Sequence, residues 1–266
     1  MITLPPTEEA IAAHDQLREI VAAQVHRDWE APGSLFSLVG VKLFTFGFNT
    51  YKSVGVLLPL RHYEQGNSLF RTLWETAANF AWVGQDPDPR SAQFLGYTAV
   101  EFRKLVQRSS RFGTEQERKV FLADFDAAFG EFFNKYRQRR GGRERWFDRF
   151  SGFSLEDIIR DLGAPWAAEY STVYKLACHY THGSPGAILF PLFAGKFDPL
   201  PDLFKLQDDQ RTAQLALWSM AILARLHHGW LEWVGADPTP ELEELDQKLR
   251  FTSYLQEFSG QLRPDA

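Results

Sequence analysis

The stretch LRHYEQGNSLFRTLWETAANFAWVGQ, residues 60–85, decides the fold. At ~100° per residue, Leu69, Phe80, Leu73, Ala77, Phe70, Ala81 and Trp74 gather in one arc, which predicts a long amphipathic helix. Asn67, Arg71, Glu75 and Asn79 lie opposite that arc. Ala78 and Trp82 fall in the same polar sector, and a tryptophan there implies that another helix covers it at least in part. The pattern alone leaves the burial of Arg71 and Glu75 open.

Working upstream, Pro59 marks a kink or break. The segment from Leu35 to Leu58 is apolar on nearly all sides and is expected to be central. APGS, residues 31–34, interrupts the chain before it. Thr7 can cap a first helix that continues through Glu8 and Glu9 toward Trp29.

Working downstream, DPDPR ends the long helix, and Asp88 with Pro89 suits the start of the next, which runs to about Phe112. TEQE, Thr114 to Glu117, reads as a capping box and opens a helix with Phe121, Phe125, Phe129 and Phe133 spaced by four. SLED, Ser154 to Asp157, reads as a second such start. APWAAEYSTVYKLACHYTHG predicts a helix ended by Gly183 in a left-handed cap. The proline-rich segment that follows reads as a folded-back loop with at most a short helix. Residues 208–234 read as a clear helix, and residues 237–258 as the last, with Pro240 near its start.

No run of alternating strands, glycine-rich phosphate loop, G-x-S-x-G elbow or fixed-period repeat is present. The expectation is an all-α chain of about eight or nine helices. It would form one helical-bundle-like domain over residues 1–266, with a core at about 35–235 and flanking helices in 1–30 and 238–258.

Composition supports a large core: hydrophobic residues make up 44% of the 266, with 23 Phe and 8 Trp. A net charge of −5 gives no general bias toward nucleic acid, although it leaves room for a local basic patch. The single cysteine, Cys178, excludes an intramolecular disulfide and a cysteine-rich zinc site, and fits a reducing compartment, hence a cytoplasmic location. The first ten residues, MITLPPTEEA, lack the apolar core of a signal peptide. The longest apolar run, Ser34 to Phe48, contains Lys42 and is shorter than the ~20 residues of a membrane span, so no membrane association is expected.

LFRTLWETAANFAWVGQDPDPR resembles a helix of a bacterial family of unknown function. Its members show an L-x-R-x-x-x-E helix, an aromatic stretch, a D-P turn with a following arginine and, much later, a helix ending in H-G-S. The matching residues are Leu69, Arg71 and Glu75, then Trp82, Asp86, Pro87 and Arg90, then His182, Gly183 and Ser184. The resemblance would span about residues 35–235; it implies an all-helical fold and supplies no activity. More loosely, the chain is similar to HEPN helical domains, many of which cleave RNA through R-x(4–6)-H. None of the seven histidines meets that spacing, and the nearest approach has Lys175 in place of the arginine ahead of His182. Lysine offers a phosphate a point charge where arginine offers a planar fork.

Two classes of function follow. Arg71 and Glu75, four apart, are either a solvent-facing ion pair or part of a covered site whose partner is His182. His182 either complements a helix C-terminus or transfers protons. In the catalytic version Glu75 orients His182, Arg71 binds a phosphate or carboxylate, and His182 is the acid or base. RNA or another phosphate-bearing ligand is then the partner. KYRQRRGGRERWFDRF, with Arg139, Arg140, Arg143 and Arg145 beside Trp146 and Phe147, is either a solvated helix end or a nucleic-acid surface. The other class is a non-catalytic interaction module that binds a protein partner or its own copy, with a structural Arg71–Glu75 pair. Cys178 reads as a small buried hydrophobe in preference to a thiolate nucleophile. No cofactor is implied. No metal site is expected either, because Glu-x-x-His and His-Glu-x-x-His are absent and His227 and His228, being adjacent, cannot share a helix face.

Overall fold

The structure, a computed structural model, describes residues 3–25, 34–134, 137–140, 143–146, 154–181 and 208–261. The described residues fold as helices with one short hairpin. In order they are α1 (Thr7–Val25), α2 (Leu35–Leu57), α3 (Tyr63–Gly84), α4 (Pro87–Arg108) and α5 (Glu115–Asn134). Strands β1 (Arg137–Arg140) and β2 (Arg143–Trp146) follow, then α6 (Leu155–Leu162), α7 (Trp166–Glu169) and α8 (Lys175–Thr181). The last three are α9 (Asp208–Val234), α10 (Pro240–Leu249) and α11 (Phe251–Gln261). A π-helical turn, Tyr170–Tyr174, joins α7 to α8.

α3 sits at the centre and packs against α2, α4, α6, α8 and α9. Most of its apolar arc is buried, with Phe70, Leu73 and Trp74 fully enclosed and Leu69 and Ala81 partly so; each fully enclosed side chain contributes about 1.5–3 kcal/mol by leaving water. Ala78 and Trp82, in the opposite sector, are buried too. The Trp82 indole N–H donates to Asp161 Oδ2 of α6 at 2.9 Å, so α6 is one of the covers that the tryptophan implied. α9 is the other central helix and is buried continuously from Thr212 to Leu223. One contiguous core draws side chains from α1 to α11.

α2 departs from expectation. It buries Phe36, Val39, Leu43, Phe44, Tyr51 and Val54, yet its other face exposes Leu35, Leu38, Val41, Phe46 and Val56. Hydrophobicity all round a helix predicted burial all round, but α3, α9, α4 and α1 cover only part of it. The close approach of α2 and α9 rests on Gly47, where an added Cβ would lie 2.5 Å from Leu226 Cδ2.

Several helix ends also differ. α4 starts one Asp-Pro earlier than expected, with Asp86 at the N-cap and Pro87 first in the helix. The Thr7 hydroxyl does not turn back on its own helix but donates to the Asp209 carbonyl at 2.9 Å, tying α1 to the start of α9. The final helix divides at Arg250, which takes a left-handed φ of 53° between α10 and α11. The capping boxes at Thr114–Glu117 and Ser154–Asp157 form as read, and a third forms at Ser34. Within the arginine-rich segment, read as either a solvated helix end or a nucleic-acid surface, Arg137–Arg140 and Arg143–Trp146 pair as antiparallel strands, so these residues do not end a helix. His182, Gly183 and the proline-rich segment lie outside the described residues.

Candidate functional site

Arg71 and Glu75 project from the same face of α3 because they are one turn apart. They form an ion pair at 3.0 Å with side chains 24% and 23% exposed, which places them between buried and solvated. Tyr174, the last residue of the π-helical turn, closes the pair from the other side. Its hydroxyl donates to Glu75 Oε1 at 2.5 Å and accepts from Arg71 Nε at 3.3 Å. The Arg71 guanidinium carbon lies 5.7 Å from the Tyr174 ring centroid. Rare π-helical turns recur at functional sites because they re-aim a side chain out of the α-helical register.

The electrostatics follow from partial burial. Burial, and then the hydrogen bond to Glu75, push the Tyr174 phenol well above its ordinary value, so it remains a donor. Burial pulls Arg71 down, but the Tyr174 hydrogen bond and the Glu75 charge outweigh it and hold Arg71 above its ordinary value. Cys178, one turn beyond Tyr174, is half-buried. Burial pushes its thiol up despite the opposing hydrogen bond to Tyr174 and the charge of Arg71, which favours the thiol over the thiolate.

Glu75 also lines a groove of about 580 Å³ between α2, α3 and α4. Lys42, Asn49, Thr72, Thr76 and Asn79 supply polar groups there, and Phe46 and Phe94 supply rings. The Asn79 side-chain oxygen is buried with no hydrogen-bond partner among the described residues. Such an orphan acceptor costs about 1–3 kcal/mol unless something donates to it.

A second cluster lies behind the first, and no local sequence pattern signals it. Glu169 of α7 is fully buried. It accepts from Trp74 Nε1 at 3.0 Å and from both terminal nitrogens of Arg225 at 2.9 and 2.6 Å. Arg225 stacks on Trp166 at 4.5 Å. A third cluster explains the turn after α3. Arg90 donates to the Trp82 carbonyl at 2.5 Å, lies 4.0 Å from the Trp82 ring centroid and pairs with Asp161 at 3.2 Å. Asp86, Pro87 and Arg90 therefore serve to join α3 to α4.

Of the sequence-derived candidates, the structure brings Arg71 and Glu75 together and adds Tyr174. His182 lies outside the described residues. Lys175 is exposed, with its ammonium 5.3 Å from the Tyr170 ring centroid. Arg139, Arg140, Arg143 and Arg145 are on the hairpin, where Arg139 pairs with Glu144, Arg140 with Arg143, and Gln138 with Arg145. His227 is buried and His228 exposed, and among the described residues no three His, Cys, Asp or Glu side chains are grouped to hold a metal. No helix among the described residues is long and apolar enough to cross a membrane.

The sequence pattern of DUF5677, a family of unknown function, matches residues 38–195, more than half of the chain. No curated protein and no solved structure matches. The chain belongs to the DUF5677 family.

Proposed function

We propose that this member of the DUF5677 family is directed to nucleic acid, with single-stranded RNA as the ligand, and works through the Arg71–Glu75–Tyr174 cluster and the groove beside it. The observation that carries the reading is the half-buried Arg71–Glu75 pair, pinned by Tyr174 and continuous through Glu75 with a mainly apolar groove that carries several polar groups. Arg71 commits Nε to Tyr174 and one terminal nitrogen to Glu75, and its remaining N–H groups suit a phosphate oxygen. Lys42 offers a second cation, and Thr72, Asn49 and Asn79 offer hydrogen bonds to sugar or base edges. Phe46 and Phe94 offer rings for stacking. The β1–β2 hairpin, whose sequence carries Arg139, Arg140, Arg143 and Arg145, would dock the nucleic-acid backbone.

In the catalytic form of this reading His182 is the acid or base. It follows Tyr174 and Cys178 at successive intervals of four in the sequence. His182 takes the proton of the attacking 2′-hydroxyl while Arg71 holds the phosphate whose P–O bond breaks, and the leaving 5′-oxygen gains a proton from the imidazolium or from water. Incubation with end-labelled single-stranded RNA tests this: cleavage by the wild type, lost in His182→Ala at an unchanged melting temperature, is the expected result. A His182→Ala chain that cleaves normally, or that unfolds, makes the residue non-catalytic.

The exposed apolar face of α2 favours a second reading, an interaction module that binds a protein partner or a second copy. Leu38, Phe46 and Val56 are 52%, 55% and 68% exposed on that helix. Light scattering that returns a monomer for the wild type, with no change in Leu38→Glu, removes the homo-oligomer version.

A further inference from the structure

A cavity of about 500 Å³ lies away from the groove lined by Glu75, between one face of α3 and one face of α9. The lining positions recur at helical spacing: Ala77, Phe80, Ala81 and Gly84 on α3, and Arg225, His228, Gly229, Glu232 and Trp233 on α9. Small residues hollow it out. An added Cβ at Gly229 would come within 3.1 Å of Phe80 Cε1, so even a methyl there would crowd the wall. Aromatic rings wall the space. Phe36 meets Phe80 at 5.5 Å and Trp233 edge-on at 5.2 Å, and Trp166 closes the far side.

The charges around this cavity are unbalanced. Among the described residues Arg225 is the only guanidinium or ammonium on its lining, and its charge is matched by the two-pronged pair with buried Glu169. Glu232 is exposed and has no ion pair or side-chain hydrogen bond among the described residues. A second lobe of about 330 Å³ shares Arg225 and His228 with the first and adds Glu243 and Asp246. Three carboxylates thus border the two lobes, while the one arginine is already neutralised. The aromatic walls already hold one cation face-on, since Arg225 stacks on Trp166 at 4.5 Å. Ring faces carry negative potential and attract cations, most strongly where water is excluded.

We infer that the α3–α9 cavity is a binding site for an organic cation with an aromatic or alkyl body, an aryl- or alkylammonium compound. The body enters among Phe36, Phe80 and Trp233, and the ammonium faces Glu232 at the mouth. The volume suits a small amphipathic molecule, within the range of about 300–1,000 Å³ usual for such pockets. This inference does not depend on nucleic-acid binding.

Isothermal titration of the full chain with benzyltrimethylammonium, and separately with benzoate, tests the assignment. The two probes share a ring and differ in the sign of charge. The cation is expected to bind at least about ten-fold more tightly than the anion. Glu232→Gln is expected to lower cation affinity about five- to ten-fold while leaving the melting temperature unchanged, because the side chain is exposed. Ala81→Leu, which fills the cavity, is expected to abolish binding. Benzoate bound as tightly as the cation, a Glu232→Gln chain with unaltered preference, or no heat from the wild type at millimolar probe would each overturn the inference.

Discussion

Replacing Arg225 with Met isolates the energetics of the buried cluster behind the candidate site. The Glu169 side chain is 0% exposed, and its carboxylate has three hydrogen bonds, two of them from Arg225. Arg225→Met removes the opposite charge and both of those bonds, leaving the carboxylate held by the Trp74 indole alone. Breaking a buried pair from one side costs about 3–5 kcal/mol, because the stranded charge keeps its desolvation penalty. Arg225 is 22% exposed, so water can follow into the vacated space, which puts the expected loss near the lower bound, about 3 kcal/mol. At a slope of about 3 kcal/mol per molar, urea unfolding followed by far-ultraviolet circular dichroism should show a midpoint about 1 M lower. Glu169→Gln combined with Arg225→Met should recover much of that loss, since a neutral amide can still accept from Trp74. A single-variant loss below about 1 kcal/mol, or a double variant as unstable as the two single losses summed, would refute the reasoning.

Three further outcomes follow from the same geometry. Tyr174→Phe removes the hydroxyl that bridges Arg71 and Glu75 while keeping the ring, and should cost about 1–2 kcal/mol in chemical denaturation. Burial holds His14 down to about 3 and His227 down to about 4, with the charge of Arg18 and of His228 as the respective second causes. Below their ordinary 6.5 the unfolded chain takes up protons that the folded chain refuses. Stability should therefore fall with pH by about 1.4 kcal/mol per unit for each histidine. The fall should continue to about 4 for His227 and about 3 for His14, and His14→Phe with His227→Leu should flatten a melting series across pH 4 to 6.5. Gly47→Ala puts a methyl 2.5 Å from Leu226 Cδ2, a crowding worth about 1–3 kcal/mol that a thermal melt would detect.

The helices were legible because local rules fix them. Thr114 with Glu117 and Ser154 with Asp157 are capping pairs three residues apart, and both form. The position of Trp82 in a polar sector revealed a covered face before any neighbour was known. Arg71 with Glu75 was legible for the same reason, as a one-turn pair. Glu169 and Arg225 were not legible, because 56 residues separate them and no local pattern links a carboxylate in WAAE to an arginine in LARLHH. Tyr174 could have been found: it stands four residues before Cys178 and eight before His182, a spacing that aligns residues on one helix face. The exposed side of α2 escaped because hydrophobicity measures a tendency to bury and does not count the helices available to cover it. The hairpin escaped because arginines give no period-two apolar signal.

In the proposed function Arg71 meets a nucleic-acid phosphate. Fluorescence anisotropy of a labelled single-stranded RNA, titrated with wild type and with Arg71→Gln from about 50 to 200 mM salt, tests it most directly. The account predicts wild-type binding that weakens steeply with salt, and at least about ten-fold weaker binding by Arg71→Gln in a chain that melts as the wild type does. Wild-type binding that is absent or indifferent to salt, or an Arg71→Gln chain that binds as well as the wild type, would contradict it.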